Sequence, residues 1–178
     1  MKRILLIALL FLSVNALQAQ SRKKVSITDS LKTKSEETSP VKSLSPQEYA
    51  AYQNGDDMGM SKAAELNNYP SPSKALSLSK ELKLNDSQRK QLLAANEALD
   101  FKAKEMGRFI LQHEKKLNDL FSTGKVNEGS LIYYCNQLGL YQGELRNAHL
   151  QAHLKARRIL TPDQLQKFSR LERDTNKD

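Results

Sequence analysis

Tryptophan is missing from this chain, cysteine occurs once and histidine three times in 178 residues. The lone Cys135 excludes an intramolecular disulfide, so no disulfide framework substitutes for a hydrophobic core. Seven glycines are scattered without a phosphate-cradling fingerprint, and there is no Gly-x-Ser-x-Gly elbow and no pair of Cys-x-x-Cys motifs. His113-Glu114 continues as Lys115-Lys116-Leu117, which lacks the second histidine of a zinc-hydrolase helix. Catalysis therefore has no motif to stand on, and the expectation is a protein that is not an enzyme. Strand-like alternation with hairpin turns is also missing. After residue 12 no apolar run is long enough to cross a membrane, which predicts no membrane insertion.

The one unbroken apolar run, Ile4 to Leu12, is nine residues long, too short for a spanning helix. It follows Lys2-Arg3 and leads to small and polar residues ending at Ala19, the pattern of a removable secretory signal over 1–19. The expected location is the periplasm, as a soluble exported protein. Removal of Lys2 and Arg3 lowers the formal net charge from +8 to +6. Such an excess suits a solvated surface or an acidic partner. No zinc-finger or RNA-binding signature accompanies it, so nucleic acid is not an expected partner.

Residues 20–44 are rich in Ser, Thr, Lys and Glu without a period and read as a disordered tether. A helical domain is expected over 45–178. Ser45-Pro46-Gln47-Glu48 is a capping box with proline at the first helical position. That short helix ends by Asn54-Gly55. A second short piece starts at Ser61 and stops before Tyr69-Pro70-Ser71-Pro72, and a third runs from about Ser73 to Leu82. Asn85 caps a helix expected to reach about Phe121, with the stripe Leu92, Asn96, Leu99, Ala103, Met106, Ile110, His113, Leu117, Leu120. Ser122-Thr123-Gly124-Lys125 breaks it. Asn127 caps the next, with the stripe Leu131, Cys135, Leu138, Gln142, Leu145, His149, Ala152, Ala156, Ile159. On that stripe Cys135 is expected to be buried. Thr161-Pro162-Asp163-Gln164 restarts a last helix to about Arg173.

The expected fold is thus all-α: a long antiparallel helical hairpin with short flanking helices, its core over about 73–173. Helices of about 35 residues span roughly 50 Å at 1.5 Å per residue and cannot enclose a core alone. Burial against the flanking helices and a second copy is expected, giving an antiparallel homodimer.

His149 and His153 stand four residues apart, which places both rings on one helix face within reach of one divalent ion such as zinc, nickel or copper. Folding about Gly124 pairs residues whose numbers sum to about 250, which brings Glu97 and Asp100 to the same level as possible metal ligands. The alternative is that the two acids simply hydrogen-bond the histidines. His113, expected opposite Cys135, reads as a soft-metal ligand or a satisfied core residue. Met58 and Met60 read as copper ligands or packing anchors.

Leu84-Asn85-Asp86-Ser87-Gln88 and Leu160-Thr161-Pro162-Asp163-Gln164 repeat one pattern, an apolar residue before a capping box that ends in Gln. The pair resembles the two LTxxQ motifs of the Spy/CpxP family of periplasmic stress proteins, which includes heavy-metal sensors of the CnrX and ZraP kind. The first copy carries Asn for Thr, an equally good cap. The resemblance covers about Ser73 to Leu171, and Met58 to Pro70 looks like the lead-in of a sensor-like branch. It implies an antiparallel helical dimer. Spy-like members hold unfolded envelope proteins without ATP, CpxP-like members restrain an envelope stress sensor kinase, and sensor-like members bind transition metals. Among metal ligands it points only to His149 and His153. The usual His-rich N-terminal segment is absent, and Lys74 stands where the sensor-like branch has His. Two functions follow as expectations: a chaperone or adaptor, or a metal-responsive sensor or resistance protein. The first draws on basic residues (Lys102, Lys104, Arg108, Lys115, Lys116, Arg146, Lys155, Arg157, Arg158) set among apolar ones, which otherwise form only a wet face.

Overall fold

A computed structural model describes residues 39–175; the expected signal segment 1–19 and residues 20–38 of the expected tether lie outside the described residues. Six helices follow in order: α1 (Pro46–Asn54), α2 (Lys62–Glu65), α3 (Pro72–Ser77), α4 (Asp86–Ser122), α5 (Glu128–Ile159) and α6 (Pro162–Thr175). The all-α hairpin is formed by α4, 37 residues long, and α5, 32 residues long.

Local chemistry sets the helix ends. Ser45 Oγ accepts from Glu48 N, and the Glu48 carboxylate accepts from Ser45 N at 2.8 Å. The backbone N–H and the hydroxyl of Ser45, both donating to it, hold the Glu48 carboxyl below its usual range. Gly55, with φ of 73°, ends α1 as Asp56 N reaches back to Ala51 O at 2.8 Å. Asn85 and Asn127 cap α4 and α5 by accepting from the third residue of each helix. At the hairpin tip Gly124, with φ of 64°, lets Lys125 N return to Leu120 O at 2.9 Å.

Two boundaries differ from expectation. Helix α3 starts at Pro72, with Ser71 as its cap, because a proline at the first helical position opens a helix rather than interrupting it. Ordered contacts begin before residue 45: Leu44 N bonds Val41 O at 3.0 Å, and the Val41 side chain is buried. Residues 39–44 therefore belong to the helical unit, not to the expected tether. One valine in a polar segment is enough to anchor it where an apolar groove accepts it.

Two apolar clusters hold the unit. At the open end of the hairpin Ala75, Leu82 and Leu84 meet Leu92 of α4, Ala156 and Leu160 at the end of α5, and Phe168 of α6. Midway along, Ala103, Met106 and Ile110 of α4 meet Leu138 and Leu145 of α5, with Tyr52 and Met60 packed on them. Leu92 with Ala156, and Ile110 with Leu138, share clusters as the fold about Gly124 requires. Toward the tip no flanking helix among the described residues covers the pair, and Leu131 and Ile132 are exposed. Cys135 is exposed too, contrary to its expected burial, since two helices alone bury only a narrow seam.

Candidate functional site

The two repeated motifs meet. Gln88 Nε2 donates to Gln164 Oε1 at 2.8 Å, and Gln164 Nε2 donates to Gln88 Oε1 at 3.1 Å. Each oxygen also accepts from the backbone N–H of its own cap, Asn85 at 3.2 Å and Thr161 at 2.9 Å. Each nitrogen also donates across the hairpin, Gln88 to Ile159 O at 3.0 Å and Gln164 to Leu82 O at 3.1 Å. Both hydrogens and both lone-pair directions of each amide are engaged. The leucines that open the motifs, Leu84 and Leu160, are buried in the same cluster beneath the amides. The repeat is therefore one clamp that closes the open end of the hairpin, and glutamine is the side chain that can both cap and cross-pair.

The histidines are buried, on different partners from those expected. His149 is 6 % exposed, and its Nδ1 lies 3.5 Å from Asp57 Oδ1 in the loop between α1 and α2. Asp57 also accepts from Gly59 N and Ser61 N, both at 2.9 Å, which fixes the loop through Met58 at φ of 48° and Gly59 at φ of 80°. His149 Nε2 is buried without a hydrogen-bond partner among the described residues. Burial pushes the imidazole below its ordinary pKa, opposed by Asp57 and reinforced by the neighbouring His153. His153 Nδ1 donates to Tyr69 O at 2.7 Å, and Arg157 one turn on lies over the Tyr69 ring at 4.4 Å.

Glu97 and Asp100 do not join them. Both are exposed on α4, and Asp100 pairs with Lys104 at 2.8 Å. Hairpin register sets the level of a residue, whereas helix rotation sets its face, and these two fall on the solvent side. Among the described residues no three His, Cys, Asp or Glu side chains converge to hold a metal ion. The set His149, His153, Glu97 and Asp100 thus does not fit a metal centre. His113 Nδ1 donates to Phe109 O of its own helix at 2.8 Å, with its ring against Tyr134 and Tyr141 rather than Cys135. Met60 packs on the middle cluster, and Met58 is exposed.

The hairpin surface mixes apolar and basic groups. Phe121, Leu131, Tyr133 and Leu140 are exposed along the tip half, and Ile132 is 63 % exposed. Lys104, Arg108, Lys115, Lys116, Arg146, Lys155 and Arg158 are exposed, while Lys102 and Arg157 are half-buried. Of these, Lys102, Lys104 and Lys115 pair within α4 with Glu105, Asp100 and Asp119. No helix among the described residues is long and apolar enough to cross a membrane.

Comparisons with family models, with curated proteins and with solved structures each returned no match. Asp57, Tyr69 and the Gln88–Gln164 pairing escape sequence reasoning. For the first two no signal exists, since both lie in aperiodic loops. The third had one: both boxes end in Gln, where Glu caps as well but carries no donor for a partner amide.

Proposed function

We propose that this chain is an exported stress protein of the Spy/CpxP kind that holds non-native proteins without nucleotide in the periplasm. It acts as a homodimer and, in the adaptor form of the same activity, engages an envelope stress sensor kinase. The observation that carries this reading is the division of the hairpin. Its open end is locked by the glutamine clamp, while its tip half presents Phe121, Leu131, Ile132, Tyr133 and Leu140, covered by no flanking helix among the described residues. Leu93 and Phe101 add exposed apolar groups farther along α4. Large exposed apolar residues in one region mark an interaction surface. Basic side chains beside them attract acidic chain segments at long range, and short apolar contacts retain them loosely. None of this needs a bound nucleotide or metal.

The test is aggregation of a chemically denatured protein diluted into buffer with chelator and without ATP. Molar excess of the mature chain is expected to slow light scattering, and no protection at that excess would overturn the reading.

A further inference from the structure

Helix α1 lies across the middle of the hairpin, yet none of its nine residues is buried. Its seat is nonetheless close and specific. A Cβ added to Gly107 of α4 would overlap the carbonyl oxygen of Tyr52, and one added to Gly55 would come within 2.8 Å of Ala103 Cβ and Lys104 N. Beneath α1 and the loop that follows it lies the middle cluster, on which Tyr52 and Met60 pack. The strap is anchored outside α1, by buried Val41 before it and buried Ser61 after it. A helix of nine residues is too short to hold itself in water, and α1 is kept on its seat by half-buried side chains alone, Tyr52 chief among them. Segments with so little burial open at low free energy.

The chemistry of the strap matches its seat. From Ser45 to Met60 it carries Glu48, Asp56 and Asp57 and no Lys or Arg, with Tyr49 and Tyr52 as its aromatics. Tyr49 and Gln53 line a groove with Val41, Leu111, Arg108 and Lys115 of the basic α4 surface. The strap is thus an acidic, aromatic segment laid on an apolar seat flanked by the cations Arg108 and Lys115, the latter shared with Asp119, and by one acid, Glu114, beside Tyr52.

We propose that the hairpin face beneath α1, centred on Ala103, Met106 and Gly107, is a second holding surface for acidic, aromatic segments of non-native chains, and that α1 is its built-in competitor. This rests on the chaperone reading and adds to it the class of client and the element that gates it. A client that displaces α1 gains the cluster and the arginine–lysine groove, and the strap closes again when the client leaves. Apparent affinity is then reduced by the fraction of time the seat is covered.

Two full-length variants test this. Gly107→Ala drives the Tyr52 backbone out while favouring helix in α4 itself. Tyr52→Ala removes the packing of α1 on the cluster, and the hydroxyl's bond to Gln142 of α5, while leaving every hairpin residue in place. Hydrogen exchange of residues 46–54 is expected to quicken by about tenfold or more in both, with α4 and α5 unchanged. Binding of reduced, carboxymethylated α-lactalbumin, an acidic and permanently unfolded probe, is expected to tighten by about threefold or more. A smaller gain is expected with a basic probe, reduced and alkylated lysozyme. Faster strap exchange without tighter binding of the acidic probe overturns the proposal and leaves the chaperone reading intact, provided the unaltered protein binds. Unchanged exchange in both variants overturns the displaceable strap. If no form of the protein binds either probe, the chaperone reading falls and the proposal with it.

Discussion

Gln88 and Gln164, 76 residues apart, face each other as a reciprocal amide pair that joins the start of α4 to the start of α6. Each is the last residue of a capping box, so one side chain ends a helix locally and closes the hairpin globally. Gln88→Ala leaves the Gln164 amide and the Ile159 carbonyl short of partners in a buried place. Loss of about 2–3 kcal/mol is expected from such unpaired groups. A double-mutant cycle with Gln164→Ala, read by urea unfolding, is expected to give coupling of about 1 kcal/mol or more. Additive losses contradict the clamp.

Acid is expected to loosen the contact between α5 and the loop after α1. Because burial holds His149 below its ordinary pKa, the folded state favours the neutral ring. Its contribution to stability is present above about pH 6.5, the unfolded value, and is lost as pH falls from there toward the folded value. Unfolding midpoints measured from pH 8 to pH 5 are expected to decline in the lower half of that range. His149→Leu is expected to flatten that part of the profile, and an equally steep profile in the variant contradicts the assignment.

Stability and holding are expected to separate along the hairpin. Ile110 is fully buried in the middle cluster, and Ile110→Ala is expected to cost about 3 kcal/mol. Ile132 faces solvent, so Ile132→Ala is expected to change stability by under about 0.5 kcal/mol. The same Ile132→Ala, combined with Leu140→Ala, is expected to weaken protection of a denatured client severalfold. A pair of substitutions that lowers stability while sparing protection contradicts the division of the molecule.

Metal titration is expected to show no tight stoichiometric site. His153 Nδ1 is bonded to Tyr69 O, Asp100 is paired with Lys104, and among the described residues no three potential ligands converge at His149. Calorimetry of metal-stripped protein with zinc, nickel and copper checks this, and micromolar binding lost in His149→Ala/His153→Ala contradicts it.

How much of this was legible in the sequence differs from residue to residue. The caps at Ser45, Asn85, Asn127 and Thr161 are local chemistry, and each stands where its side chain predicts. The stripe through Ala103, Met106 and Ile110 marks the buried face because helical period and burial coincide there. The stripe through Leu131 and Cys135 has the same period yet stays exposed, since periodicity identifies a face and says nothing of whether anything covers it. Glu97 and Asp100 were placed at the right level and on the wrong face. The true neighbours of the histidines, Asp57 and Tyr69, come from loops that carry no pattern. The glutamine clamp was half legible: each motif showed a cap, and neither alone showed its counterpart.

Site-specific photocrosslinking shows whether non-native chains are held on the hairpin. A photoreactive residue is introduced at Ile132, at Leu140 or, as a control at the locked end, at Lys80, and mixed with denatured client in chelator. The account predicts crosslinks to client from positions 132 and 140 that fade as the client refolds, and few from position 80. Equal crosslinking from all three, or none from the tip half while aggregation is still suppressed, would contradict it.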